Sequence, residues 1–117
     1  MNLEFLAKLE GLLQERFKNR PEGSYTTKLY ESGPQKILQK VGEEAIEYIL
    51  DAQFAAQNGI RADGKPLDLV SQAADKQKAI YEGADLIYHF MVSLVAQGWS
   101  LSDIVAELEK RHAPKGG

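Results

Sequence analysis

Residues 78–98, KAIYEGADLIYHFMVSLVAQG, decide the fold of this chain. The segment is apolar in nearly every direction around a helix, and a helix of that kind is normally buried. It carries one polar stripe, at the three- and four-residue spacings that align side chains on a helix: Lys78, Glu82, Asp85 and His89. A carboxylate buried among apolar side chains needs a cation or strong hydrogen bonds. The segment therefore predicts a buried helix whose acidic groups bind a cation or form strong hydrogen bonds.

A second acidic stripe lies upstream, on a helix that the sequence predicts over residues 34–57. At about 100° per residue, Glu43, Glu44 and Glu47 fall on the same side of this helix as Lys40. Taken alone, the stripe is also explained as a solvated face on which Lys40 pairs with Glu44 four residues later. Two such clusters in one short chain favour a metal site. Ligands that are all oxygen favour Mg²⁺, with Mn²⁺ as the alternative.

The apolar residues beside this second stripe predict both a core and a partner surface. The arc next to the acids is apolar, and we expect its residues to face a core: Ile37, Leu38, Val41, Ala45, Tyr48 and Ile49. Ile46 and Leu50 lie on the other side of the helix. A chain this small buries only a modest core by itself, so we expect a homodimer or a larger homo-oligomer.

The whole chain reads as a single all-α domain, residues 1–117, because helical periodicity is sustained and alternating apolar and polar runs are absent. We expect an antiparallel helical bundle of four to five helices. Gly and Pro pairs and capping residues place the breaks between them. The predicted helices cover about residues 3–17, 25–31, 34–57, 67–97 and 101–110, with residue 71 as the alternative start of the fourth. The tail from about residue 113 is expected to fray.

Composition excludes several classes of function. The 117 residues carry a formal net charge of −3, so no broad basic surface is offered to nucleic acid. There is no cysteine, which excludes disulfides, thiolate zinc sites and thiol nucleophiles. No apolar run reaches the roughly 20 residues that span a bilayer, and the start lacks the pattern of a signal peptide. We therefore expect a cytoplasmic protein without a membrane partner.

The order of the motifs also carries a family resemblance. Glu43-Glu44-x-x-Glu47 followed by Glu82-x-x-Asp85 resembles the acidic signature of the all-α, MazG-like nucleotide pyrophosphohydrolases. The sequence around these acids, from about residue 24 to residue 112, is similar to that of the phosphoribosyl-ATP pyrophosphohydrolase family of histidine biosynthesis. The segments that carry this narrower resemblance are Ser24-Tyr25-Thr26, Lys40-Val41-Gly42-Glu43-Glu44, Asp85-Leu86-Ile87-Tyr88-His89, Gly98-x-Ser100-Leu101-x-Asp103-Ile104 and Leu108-x-x-Arg111-His112.

The resemblance implies a reaction, a set of ligands and a base. The reaction is the Mg²⁺-dependent hydrolysis of phosphoribosyl-ATP to phosphoribosyl-AMP and pyrophosphate. The implied Mg²⁺ ligands are Glu44, Glu47, Glu82 and Asp85. Glu43 is the implied residue that orients or deprotonates the attacking water, with Glu47 as its rival. The resemblance also implies the stand-alone form, without the cyclohydrolase domain to which this enzyme is fused in some organisms.

Five further residues are implied to bind the substrate, each beside a structural alternative. Lys40 meets a phosphate oxygen, or else it pairs with Glu44. Residues 24–26 offer hydroxyls and amides from a helix N-terminus, although helix capping explains Ser24 or Thr26 almost as well, and Tyr25 lies between them. His89 contacts the substrate, supports Asp85 from behind, or is a satisfied core histidine.

Three rival functions and one departure stay open at this point. The rivals are a hydrolase of non-standard nucleoside triphosphates, a di-iron carboxylate bundle and a non-catalytic dimerisation module. A di-iron bundle typically needs Glu-x-x-His on two helices, and neither Glu44 nor Glu82 is followed by histidine three residues later. The departure is an apparent insertion over residues 58–75, which we expect to lengthen a loop or a helix end without moving the acids.

Overall fold

Five helices contain most of residues 2–58 and 69–113, which are the residues that a computed structural model describes. The described residues contain no β-strand, so the all-α prediction and the predicted number of helices are confirmed. Most of the apparent insertion, residues 59–68, lies outside the described residues, and so does the tail beyond residue 113. The helices are α1 (Phe5–Asn19), α2 (Tyr25–Ser32), α3 (Pro34–Asn58), α4 (Leu69–Ala96) and α5 (Leu101–Arg111).

The short helices begin where the sequence places capping residues. The Ser24 hydroxyl accepts a hydrogen bond from the Thr27 backbone N–H at 3.3 Å, which caps α2. Helix α5 begins with a capping box, as predicted: the Ser100 hydroxyl accepts from the Asp103 N–H at 3.2 Å, and the Asp103 carboxylate accepts from the Ser100 N–H at 3.0 Å. Gly33 ends α2 with a positive φ of 92°, a conformation that favours glycine.

The chain divides into two compact units, with the divisions inside α3 and α4. The first unit holds residues up to 37 and from 91 onward. Its interior is a conventional apolar core, in which Tyr30 donates its hydroxyl hydrogen to the Leu13 carbonyl at 2.9 Å and meets the Phe17 ring edge-on at 4.9 Å. The buried apolar residues of this unit are Leu13, Leu29, Tyr30, Ile37, Met91, Val92, Leu94 and Val95.

The second unit, Leu38–Phe90, consists of the facing parts of α3 and α4. His89 lies opposite Glu44, and Asp75 borders the same cavity as Phe54. A residue early in α3 thus faces a residue late in α4, and a residue late in α3 lies near a residue early in α4. The two helices are therefore antiparallel. Among the described residues, no helix is long and apolar enough to cross a membrane.

Apolar side chains of the second unit are more exposed than the sequence predicts. Of the residues expected to face a core, Ile37 is 1% exposed, but Leu38, Tyr48 and Ile49 are 51%, 39% and 55% exposed. The expectation is wrong for these three in the single chain, because two helices have only one face each to bury against the other. The outer faces of both helices stay apolar and uncovered.

Candidate metal centre

Three glutamates of α3 and α4 converge on one point in the second unit. Glu44 and Glu47 are three residues apart on α3, so their side chains share a face of that helix. Glu82 approaches from α4. One carboxylate oxygen from each of the three lies within 4.8 Å of the other two. The two acidic stripes predicted from the sequence therefore meet.

Two oxygens in this cluster are buried without a hydrogen-bond partner. They are Oε2 of Glu44 and Oε2 of Glu82. The Glu44 side chain is only 12% exposed, so water does not freely replace the missing partners. A buried polar atom without a partner costs free energy, and the cost is higher for an ionised group. The cluster therefore needs either protons or a cation.

The acid–base behaviour of the cluster reflects this crowding. Burial, followed by contacts with Glu47 and Glu44, raises the pKa of Glu82 to about 7. Burial, followed by the nearby charge of Asp85 and contact with Glu47, raises the pKa of Glu44 as well. Near neutral pH, therefore, the metal-free cluster retains part of its protons. A bound divalent cation would replace these protons and let the carboxylates ionise.

His89 lies behind the cluster and is almost fully buried, with 5% of its surface exposed. Its Nδ1 is 2.9 Å from the Asp85 backbone carbonyl oxygen. A carbonyl oxygen only accepts hydrogen bonds, so Nδ1 carries the hydrogen and donates it. The same Nδ1 is 3.7 Å from Oε1 of Glu44. The structure therefore places His89 beside the Glu44 carboxylate and the Asp85 backbone, while its predicted substrate contact stays a prediction.

The other predicted residues of α3 and α4 lie around the cluster. Asp85 is half-buried one turn beyond Glu82, and its charge reaches Glu44. Glu43 is exposed and accepts a hydrogen bond from the Gln39 side-chain amide at 2.8 Å, outside the group of three. Its role as a base stays a prediction.

Lys40 precedes Glu44 by one turn and is half-buried. Within the described ranges it forms no ion pair, so the proposed pairing with Glu44 is not made. Its ammonium group is therefore not committed to the nearest carboxylate of its own helix. The predicted contact of Lys40 with a substrate phosphate stays a prediction.

Residues 24–26 belong to the first unit, at the N-terminus of α2. The Ser24 side chain is engaged in helix capping, which was the structural alternative for that residue. The predicted contacts of Ser24, Tyr25 and Thr26 with substrate stay predictions.

The donor set fits an oxygen-coordinated divalent cation. All three converging groups are carboxylates, two of them with buried orphan oxygens, and no sulfur donor is available. Mg²⁺ and Mn²⁺ prefer such ligands, and Mg²⁺ commonly bridges one or two protein carboxylates to substrate phosphates. The cluster is therefore suited to a metal ion that still has positions open for a substrate.

The sequence interpretation missed the space next to the cluster. A cavity of about 620 Å³ is bordered by Glu82 together with Asp51, Gln77, Lys78 and Tyr81. A second cavity, of about 510 Å³, shares Asp51 and Lys78 with the first. The signal that could have found this space was the position of Lys78 on the acidic stripe of α4.

Comparison with known proteins agrees with these features. Residues 6–112 match the family described as phosphoribosyl-ATP pyrophosphohydrolase. The chain is 42% identical over 111 residues to the phosphoribosyl-ATP pyrophosphatase of Leptospira biflexa, covering 95% of this chain and 100% of that protein. It is 41% identical over 109 residues to the histidine biosynthesis bifunctional protein HisIE of Bacteroides thetaiotaomicron, covering 93% of this chain and 44% of that protein. The chain thus spans less than half the length of this bifunctional relative.

Proposed function

This chain belongs to the phosphoribosyl-ATP pyrophosphohydrolase family, and on that premise we propose that it hydrolyses phosphoribosyl-ATP to phosphoribosyl-AMP and pyrophosphate in histidine biosynthesis. The observation that carries the proposal is the convergence of Glu44, Glu47 and Glu82, with two buried oxygens that lack partners. Phosphoryl-type transfer depends on positioning and charge neutralisation more than on covalent catalysis. An acidic cluster that holds a cation suits this chemistry, whereas a purely structural module has no need for it.

Mg²⁺ is the cofactor that we propose, with Mn²⁺ as a substitute. Glu44, Glu47 and Glu82 would hold the ion, and Asp85 would complete the set from the next turn of α4. When bound, Mg²⁺ neutralises phosphate charge and lowers the pKa of water. His89 donates a hydrogen bond to the Asp85 backbone carbonyl and lies 3.7 Å from Glu44, so it would help to hold the backbone at Asp85 in place.

The remaining steps fall to residues at the edge of the cluster. A base must take a proton from the attacking water, and Glu43 and Glu47 are the two candidates. Glu43 is exposed, and one of its oxygens is occupied by Gln39, whereas Glu47 is exposed and touches the cluster directly. Because Glu47 would also hold the ion, Glu43 is the base that we propose, with Glu47 as its rival. Lys40, which has no ion pair among the described residues, would neutralise a substrate phosphate.

We propose that the working form is a homodimer or a larger homo-oligomer. The sides of α3 and α4 that face away from the acids carry Ile46, Ile49, Ile80 and Ile87, which are 60%, 55%, 54% and 49% exposed. Each helix therefore exposes apolar area of a kind that monomeric proteins seldom leave open. A second copy of the chain would cover such an apolar side with an identical one.

The test is pyrophosphate release from phosphoribosyl-ATP with Mg²⁺ and with EDTA, with ATP and dUTP as competing substrates. Release that needs Mg²⁺ and is confined to phosphoribosyl-ATP is the expected result. Release from the common nucleoside triphosphates instead would replace the substrate and keep the metal chemistry. No release from any of them would overturn the proposed function and favour a non-catalytic module.

A further inference from the structure

Two lysines occupy equivalent places on the two helices of the acidic cluster. Lys40 precedes Glu44 by four residues on α3, and Lys78 precedes Glu82 by four residues on α4. Four residues are about 6 Å along a helix, roughly one turn. Because α3 and α4 run antiparallel, the two lysines flank the cluster from opposite ends.

Lys78 is exposed and has no ion pair within the residues that the structure describes. Asp51 borders both of the cavities that Lys78 borders, and Asp75 borders the smaller one, yet neither carboxylate forms an ion pair with the Lys78 ammonium group. A lysine that lies between carboxylates without pairing to one is available to an anion from outside. Asp51 and Asp75 also restrict where a bulky anion is tolerated, so the phosphate should lie on the Glu82 side of Lys78, where the metal ion shields the negative charge.

The cavities next to Lys78 have room for more than a phosphate group. Lys78 borders both cavities, and the larger one, of about 620 Å³, opens directly onto Glu82. Cavities of about 300–1,000 Å³ are typical of sites for small molecules and cofactors. Tyr81 and Phe54 provide aromatic surface there, one in each cavity. A nucleoside needs such a space and such surfaces, whereas pyrophosphate needs neither.

We infer that Lys78 binds the α-phosphate, which stays with the nucleoside and was joined to the leaving group, while Lys40 at the other end binds the departing pyrophosphate. This inference rests on the proposed function, because it divides that substrate between the two ends of the cluster. Hydrolysis adds water across the phosphoanhydride bond between the α- and β-phosphates, so phosphoribosyl-AMP keeps the α-phosphate and its phosphoribosyl phosphate, and the other product is pyrophosphate. This division fixes the direction in which the substrate lies along α3 and α4: its nucleoside is at the Lys78 end and its leaving pyrophosphate at the Lys40 end.

The test is direct binding of the two products by calorimetry in the presence of Mg²⁺, using phosphoribosyl-AMP and inorganic pyrophosphate as probes. We expect Lys78→Met to weaken phosphoribosyl-AMP about tenfold and to leave pyrophosphate within about twofold, which is the usual size for losing one charge-assisted contact. Lys40→Met should do the reverse. Lys78→Arg should restore part of the phosphoribosyl-AMP affinity.

Lys76→Met is the matched control, because Lys76 is exposed on the same helix and borders neither cavity. It should leave the affinity for both products unchanged. The inference is overturned if Lys78→Met weakens pyrophosphate as much as phosphoribosyl-AMP, or weakens neither. Binding is measured without turnover, so an inactive wild-type chain would overturn the proposed function and leave this test intact.

Discussion

The two units of this protein use apolar and polar side chains in opposite ways. In the first unit, Leu13 and Met91 are each 1% exposed, and the buried Tyr30 hydroxyl has a carbonyl partner. In the second unit, isoleucines are exposed and carboxylate oxygens are buried without partners. The first pattern stabilises a fold by itself. The second is costly unless a cation and another surface complete it, which is typical of a functional region.

The largest effect is expected where the second unit departs most from ordinary packing. Glu82→Gln keeps the shape of the side chain and removes a charge that the cation needs. We expect phosphoribosyl-ATP hydrolysis to fall about 100-fold or more, with the helical circular dichroism spectrum unchanged. Glu22→Gln, at an exposed residue between α1 and α2, is the control and should keep wild-type activity. Full activity in Glu82→Gln would show that the carboxylate cluster does not take part in the hydrolysis.

The first unit should respond through stability instead. Leu13 is 1% exposed, so Leu13→Ala leaves a cavity and should lower the free energy of unfolding by about 2–5 kcal/mol. The neighbouring Leu12 is 46% exposed, and Leu12→Ala should cost much less. Urea unfolding followed by circular dichroism measures both variants. Equal losses at the two positions would contradict the core assigned to this unit.

Much of this contrast was predictable from the sequence, because it depends on local pattern. The capping box of α5 and the break at Gly33 are read from residue types at fixed spacing. The acidic stripes follow from helical period. Period shows which side of a helix is apolar but not what covers that side, and this is why Leu38 and Ile49 were wrongly assigned to a core.

The candidate site was predictable only in part. Glu44, Glu47 and Glu82 meet because α3 and α4 pair in one particular register, and no local pattern specifies that register. Glu43 and Glu44 are neighbours in the sequence, yet about 100° of helix rotation separates their side chains. The space beside Lys78 depends on both helices at once, so it emerges only from the structure.

The second unit should also make the stability of the metal-free protein depend on pH. The pKa of Glu82 is raised to about 7, so the folded metal-free chain holds this proton more tightly than the unfolded chain does. Its contribution to stability is therefore present at low pH and is lost as the pH rises from about 4.5 to about 7. Melting temperatures of the metal-free protein between pH 5 and pH 8 measure the loss. Mg²⁺ should raise the melting temperature more at pH 8 than at pH 5, and Glu82→Gln should flatten both trends.

The smallest effect is expected at the apolar outer face of the second unit. Ile80 is 54% exposed in the single chain, so Ile80→Ser should change the stability of one subunit by less than about 1 kcal/mol. It should nevertheless weaken self-association, because the residue would be buried between copies. Sedimentation equilibrium measures the association constant. Val105→Ser, at a residue 45% exposed in the first unit, is the control and should leave association unchanged.

Mn²⁺ binding, followed by electron paramagnetic resonance of the free ion, tests most directly the claim that the second unit is completed by a cation. The wild-type chain should take up Mn²⁺, and Mg²⁺ should compete for the same site. Glu82→Gln and Glu44→Gln should each weaken binding at least about tenfold, since each removes a ligand charge. Equal Mn²⁺ binding by the wild type and both variants would contradict the account and leave the buried carboxylates without a purpose.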